Sequence, residues 1–215
     1  RTPDAVTRAA LHLRMARTYE QEVELPDRAI AAYQAALNEQ PDHPAALQAL
    51  DRLYEAHHRL LELIDLLRLR VELAGGEPHV ARTLLWRLAR ALEAAGPAHL
   101  AEAAECLERA RRIGPPAPEL DGALAQLLVK AGDPQAAARL VSEQAENARE
   151  EGQSRQTVVE LLVHLSRIHL IHLSDPTAAR QDLERALSMQ PENIEGLRGL
   201  GEVFEQLESW SEYVN

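Results

Sequence analysis

A spacing of small, large, small and proline residues recurs along this chain, and it limits the possible folds more than any other feature. In "PDRAIAAYQAALNEQP" the pattern is Ala29, Tyr33, Ala36 and Pro41; Ala179, Leu183, Ala186 and Pro191 repeat it at identical spacing. Ala103, Leu107, Ala110 and Pro115 form a third copy, and Ala137, Val141, Gln144 and Leu63, Leu67, Arg70 form two degenerate ones. With Ala29, Leu63, Ala103, Ala137, Ala179 and Tyr213 taken as equivalent, the intervals are 34, 40, 34, 42 and 34 residues. A unit of that length cannot bury its apolar face alone, so neighbouring units must stack.

Each copy follows a second amphipathic segment. Leu47, Leu50 and Tyr54, and likewise Leu197, Leu200, Gly201 and Phe204, have the three-and-four spacing that lines one helix face. The repeating unit is therefore a helical hairpin. Apolar residues make up 46 % of the chain, mostly Ala and Leu, and aromatics only 3 %, a composition suited to close helix packing rather than sheet. The expected fold is all-α, with helices near residues 4–23, 27–39, 44–56, 59–74, 78–95, 99–113, 117–130, 134–151, 155–173, 176–189 and 193–207. Pro3, Pro44, Pro134 and Pro176 sit where helices start, with Thr2, Asp133 and Asp175 as expected N-caps. The stretch "IGPPAPEL" is expected to be a turn between repeats, because the 34-residue spacing continues across it. The long intervals are expected to lengthen helices or turns near Gly75, Gly76 and "GPAHL", and around "EEGQSRQT", bending the array or projecting from one face.

These residues resemble the tetratricopeptide repeat family. The best copy spans residues 10–43, with Leu13, Ala16, Arg17 and Glu20 in the first helix and Ala29, Tyr33, Ala36 and Pro41 in the second. The copy over 44–77 matches at Leu47, Leu50 and Tyr54 but carries Asp51 where the family has a small residue. The resemblance implies a right-handed superhelical solenoid of antiparallel helix hairpins, a single array over residues 1–215 of about five and a half repeats. The ending "ESWSEYVN" is expected to interrupt a second helix, leaving Trp210 and Tyr213 little to pack against, as in a piece of a longer bacterial array. That edge is expected to be capable of self-association.

The family register also implies a binding groove. First helices line the concave surface, which would point Leu11, Arg14 and Thr18 inward, then Gln48 and Arg52, then Trp86 and Arg90. Arg14, Arg52 and Arg90 would form a basic ladder beside Trp86, suited to peptide carboxylates and apolar contact. Leu161, His164, Leu165, Ile168 and Ile171 are the corresponding candidates in the fifth unit, with His164 and Ile168 the expected contacts of a more apolar groove. The family's clamp for acidic C-terminal peptides uses Lys and Asn, whereas this chain has Arg14, Thr18 and Gln48, so chaperone C-termini are not the implied ligand.

No phosphate-cradling glycine motif or H-E-x-x-H occurs, so no catalytic residue and no cofactor is expected. His169 and His172 could share a helix face, but no local carboxylate or cysteine completes a metal site and His164 points elsewhere. Cys106 is the single cysteine, which excludes an internal disulfide and reads as a small core residue. A net charge of −11 spread along the chain disfavours nucleic acid, and no membrane span or signal-peptide pattern is present. The compartment is left open, with the cytoplasm favoured. The expected function is a non-catalytic scaffold binding a partner protein or peptide in the groove. The alternatives are a structural spacer, a self-association segment, or a regulatory domain fused to an enzyme.

Overall fold

A computed structural model describes the backbone of residues 4–213 and the side chains of residues 4–207. Among the described residues the secondary structure is entirely helical: α1 Ala5–Gln21, α2 Pro26–Glu39, α3 Pro44–Ala56, α4 Leu60–Leu73, α5 Pro78–Ala95, α6 Leu100–Ile113, α7 Pro118–Lys130, α8 Pro134–Glu150, α9 Arg155–Arg167, α10 Pro176–Met189 and α11 Ile194–Tyr213. Prolines at the first turn of α2, α3, α5, α7, α8 and α10 open those helices where a missing N–H costs no internal bond. Asp133 and Asp175 cap α8 and α10 as expected, accepting from the N–H of Ala136 and Ala178 at 2.9 Å. The cap of α1 is Asp4, which accepts from Thr7 N–H at 2.7 Å; Thr2 lies outside the described residues. α11 runs on to Tyr213 without the turn expected after residue 207. The expectation about packing at Trp210 and Tyr213 concerns side chains outside the described residues.

The chain divides into two compact units, Arg1–Pro115 and Pro116–Asn215. The division falls inside "IGPPAPEL", the stretch expected to be a turn between repeats. In the first unit α1 pairs with α2, α3 with α4 and α5 with α6, and α2–α3 and α4–α5 contacts join successive hairpins. In the second unit α7 pairs with α8 and α9 with α10, and α11 lies against α10 and α9. The extra residues of the long intervals go into the 18-residue α5, a 3₁₀ turn at Pro97–His99, the 17-residue α8 and a π-helical turn at Ile168–His172.

The recurrent small residues are the contact points of these hairpins. Ala29, Ala36, Ala103, Ala110, Ala137, Ala179 and Ala186 are completely buried, and Tyr33, Leu67, Leu107, Val141 and Leu183 fill the space between them. Ala lets two backbones approach where helices cross, and the large residue one turn on occupies the volume left beside the crossing.

The hairpin turns share a backbone signature that the residue types conceal. Glu24, His58, Gly132 and Ser174 each adopt a left-handed conformation, with φ between 52° and 87°, two residues before the second helix begins. The next residue donates its N–H back into the first helix: Leu25 to Tyr19 O, Arg59 to Tyr54 O, Asp133 to Leu128 O and Asp175 to His169 O, all at 2.8–2.9 Å. These bonds satisfy carbonyls that a helix end would otherwise leave orphaned.

Candidate functional site

In the first unit, the first helices α1, α3 and α5 are linked by ion pairs between residues about one repeat apart. Asp51 lies at the centre. It is 8 % exposed, and its carboxylate accepts from both terminal nitrogens of Arg87 at 2.8 Å and from Arg70 of α4. Arg87 also donates to Glu55 at 2.6 Å. The Asp51 carboxylate, and then Glu55, raise the Arg87 guanidinium above its ordinary range, with burial opposing them, so it stays charged. Asp51 and Arg70 both stand where the family has a small residue, and in the fold the two departures meet.

A second link joins α1 to α3. Arg52 donates to Glu20, and Tyr33 Oη donates to the other oxygen of the same carboxylate at 3.0 Å. Burial, then the Glu20 hydrogen bond, pushes the Tyr33 hydroxyl up to about 12, so it remains a donor. Above these pairs opens a groove of about 570 Å³ lined by Arg17, Tyr33, Gln48, Arg52, Glu55 and Arg87, with Ala45, Ala49 and Asp51 also lining it. Arg17 is exposed and makes no ion pair among the described residues.

The residues singled out in the sequence are placed as follows. Arg14 and Arg90 are exposed on α1 and α5 and make no ion pair among the described residues. Arg52 is exposed but engaged by Glu20, and Trp86 is partly buried. His164 is partly buried, with its imidazole pKa lowered by burial and then by Arg167. Ile168 is only 2 % exposed, so it is a core residue and offers no surface to a ligand; the π-helical turn that begins there changes the register on which the inward reading relied. Arg17 and Arg87, which the basic ladder did not include, line the groove instead. Their signal was available as arginines one turn from Arg14 and Arg90 on the same helices.

In the second unit, an opening of about 910 Å³ lies between α9 and the α10–α11 turn, lined by Gln156, Glu160, Met189, Glu192, Asn193 and Ile194 among others. His169 does meet a carboxylate, one supplied by α10 rather than its own helix: Nδ1 lies 2.7 Å from Asp182 Oδ2. His172 is exposed. Among the described residues no group of three or more His, Cys, Asp and Glu side chains is arranged to hold a metal ion. No described helix is long and apolar enough to cross a membrane.

No protein-family model and no curated protein matches the chain. Solved structures do. The Podosopora anserina putative kinesin light chain TPR-like repeats superpose with a TM-score of 0.54 at 20 % identity, covering 87 % of this chain and 97 % of that one. YrrB, described as a TPR protein with an unusual peptide-binding site, gives a TM-score of 0.51 at 18 % identity over 88 % of this chain and 90 % of its own. A chain of the Naa15/Naa10 structure bound to HypK-THB gives a TM-score of 0.59 at 18 % identity, covering 93 % of this chain and 29 % of that one. The fold is that of a tetratricopeptide-like, all-α repeat protein of the kind that serves as a protein-interaction scaffold.

Proposed function

We propose that this chain is a non-catalytic scaffold that holds a peptide or protein segment in the groove shared by α1, α3 and α5. The observation that carries the reading is Arg17. It projects into an open groove without a carboxylate of its own, while neighbouring Arg52 and Arg87 are held by internal acids. A binding groove built on rigid helices presents its polar groups already oriented, which lowers the ordering cost of association. Arg14 and Arg90 extend the same basic surface, and Gln48 supplies a neutral hydrogen-bonding group between the charges. YrrB, of the same fold, is described with a peptide-binding site, which supports this class of function.

The test is capture from lysate of the source cells by the intact chain and by an Arg17→Glu/Gln48→Ala/Arg90→Glu variant, with unchanged circular dichroism as the control. All three positions are at the surface or groove wall, whereas Arg52 and Arg87 hold helices together. A partner retained by the parent and lost by the variant supports groove binding; equal capture by both sinks it. A second reading, self-association through the C-terminal edge, is favoured by an open apolar stripe on α11.

A further inference from the structure

α11 has two apolar faces, and only one is used. Gly196, Gly199, Leu200, Val203 and Leu207 lie on the side packed within the second unit. Val203 is completely buried, and a Cβ at Gly196 or Gly199 would come within 3.1 Å of Leu187 or 3.2 Å of Leu183. The opposite side presents Ile194, Leu197, Gly201 and Phe204 at intervals of three, four and three. The three large residues are 72 %, 52 % and 42 % exposed, and a Cβ at Gly201 would meet nothing within 4 Å. In α3, Leu50 and Tyr54 occupy the repeat positions of Leu200 and Phe204 and are buried against their hairpin. The stripe thus has the character of a helix-contact face, with a glycine midway along it where another backbone can approach closely.

We infer that this face joins two copies of the chain, α11 packing antiparallel to α11 of a second copy about a two-fold axis at Gly201. The charges beside the stripe support that occupant. Arg198 and Glu205 are seven residues apart and so lie within about 20° of each other around the helix, on one flank of the stripe. Arg198 is about 4.5 Å along the axis before Gly201 and Glu205 about 6 Å after it. A two-fold axis perpendicular to both helices preserves the flank and reverses the direction. It therefore places Arg198 beside Glu205 of the partner subunit, twice per interface, and sets the Ile194–Leu197 end against Phe204 of the partner subunit. Parallel packing in register would instead oppose like charges. One helix pair buries less than the roughly 1,200 Å² of a stable specific interface, so the dimer is weak and concentration-dependent. The inference rests on the self-association reading and is independent of the groove on α1, α3 and α5.

Sedimentation equilibrium of the whole chain across a concentration series tests the pairing. The wild type is expected to dimerise. Arg198→Glu or Glu205→Arg alone is expected to weaken association about tenfold, and the double charge swap to restore it to within about threefold. Gly201→Lys, at an open position with no cost to the monomer fold, is expected to abolish the dimer. Gly201→Cys is expected to cross-link under mild oxidation, while Cys106 is buried and does not. The inference is overturned by a chain that stays monomeric to about 1 mM, by single-charge variants that the swap does not rescue, or by association that persists in Gly201→Lys. It is also overturned if Met15→Lys in α1, rather than the α11 variants, disperses the assembly. None of these outcomes bears on groove capture, which is read with Arg17, Gln48 and Arg90 variants.

Discussion

Asp51 is a charged residue at a position where Ala16 in the first hairpin is completely buried and Gly201 occupies the equivalent site in α11. It is tolerated because the neighbouring Arg87 grips both of its oxygens and Arg70 closes the remaining side. Removing one member strands the others, whereas removing both buried departures returns the hairpin to the family pattern. Asp51→Ala is expected to cost about 2 kcal/mol, with part of that loss recovered in Asp51→Ala/Arg70→Ala. Urea denaturation of the four proteins of the cycle checks this, and additive losses would mean that Asp51 and Arg70 are energetically independent. Cys106 makes a simpler case. Burial pushes its thiol up to about 11, so native protein is expected to react with a disulfide reagent only through opening of the fold, at a rate that rises with urea. At this scale the sequence was legible for the small and large core residues, which have one role. It was not legible for arginines, whose long stems reach acids some 32 to 36 residues away, as Arg52 reaches Glu20 and Arg87 reaches Asp51.

Helices could be read to within a few residues because proline and apolar spacing fix their starts; their turns could not, because the repeated feature there is a dihedral angle carried by Glu24, His58, Gly132 and Ser174 in turn. Only glycine adopts that conformation without a Cβ clash. Ser174→Gly is expected to stabilise the protein by about 0.5–1 kcal/mol, and Gly132→Ala to destabilise it by about 1 kcal/mol, both read from thermal or urea unfolding. The same junction contains the π-helical turn, which no spacing in "HLSRIHLIHL" announces, and the bond from His169 to Asp182 that ties it to α10. Burial raises the Asp182 carboxyl above the ordinary aspartate range, and the His169 hydrogen bond pulls it partly back. A carboxyl whose pKa rises on folding binds its proton more tightly in the native state. Its contribution is full below the unfolded value and fades as pH rises through the raised one. Measured against Asp182→Asn, which does not titrate, the wild type is therefore expected to gain stability on acidification from about pH 6 to pH 4. A relative loss over that range would assign Asp182 the behaviour of an ordinary stabilising ion pair.

At the scale of the whole molecule, the two units differ in how their acids are held. The first contains Glu20, Asp51 and Glu55 on the groove arginines, and Glu102 doubly bonded by Arg68 at 2.8 Å. The Arg68 guanidinium holds Glu102 below its usual range, and Glu62 is lowered by the backbone N–H at its own position and then by Arg59. Groups lowered on folding contribute above the ordinary glutamate range, and that contribution is lost as pH falls through their depressed values. In the second unit the buried Asp182 has the opposite sign. Stacked repeats draw stability from their own hairpins and immediate neighbours, so residues 1–115 and 116–215 are each expected to fold when produced separately. The melting temperature of the first fragment is then expected to fall more steeply with acidification below about pH 4.5 than that of the second. Because several of its pairs are partly exposed, raising the salt concentration is expected to narrow the difference. Equal acid sensitivity at low salt would show that the chain's net charge of −11, relieved in both halves alike, outweighs the individual pairs.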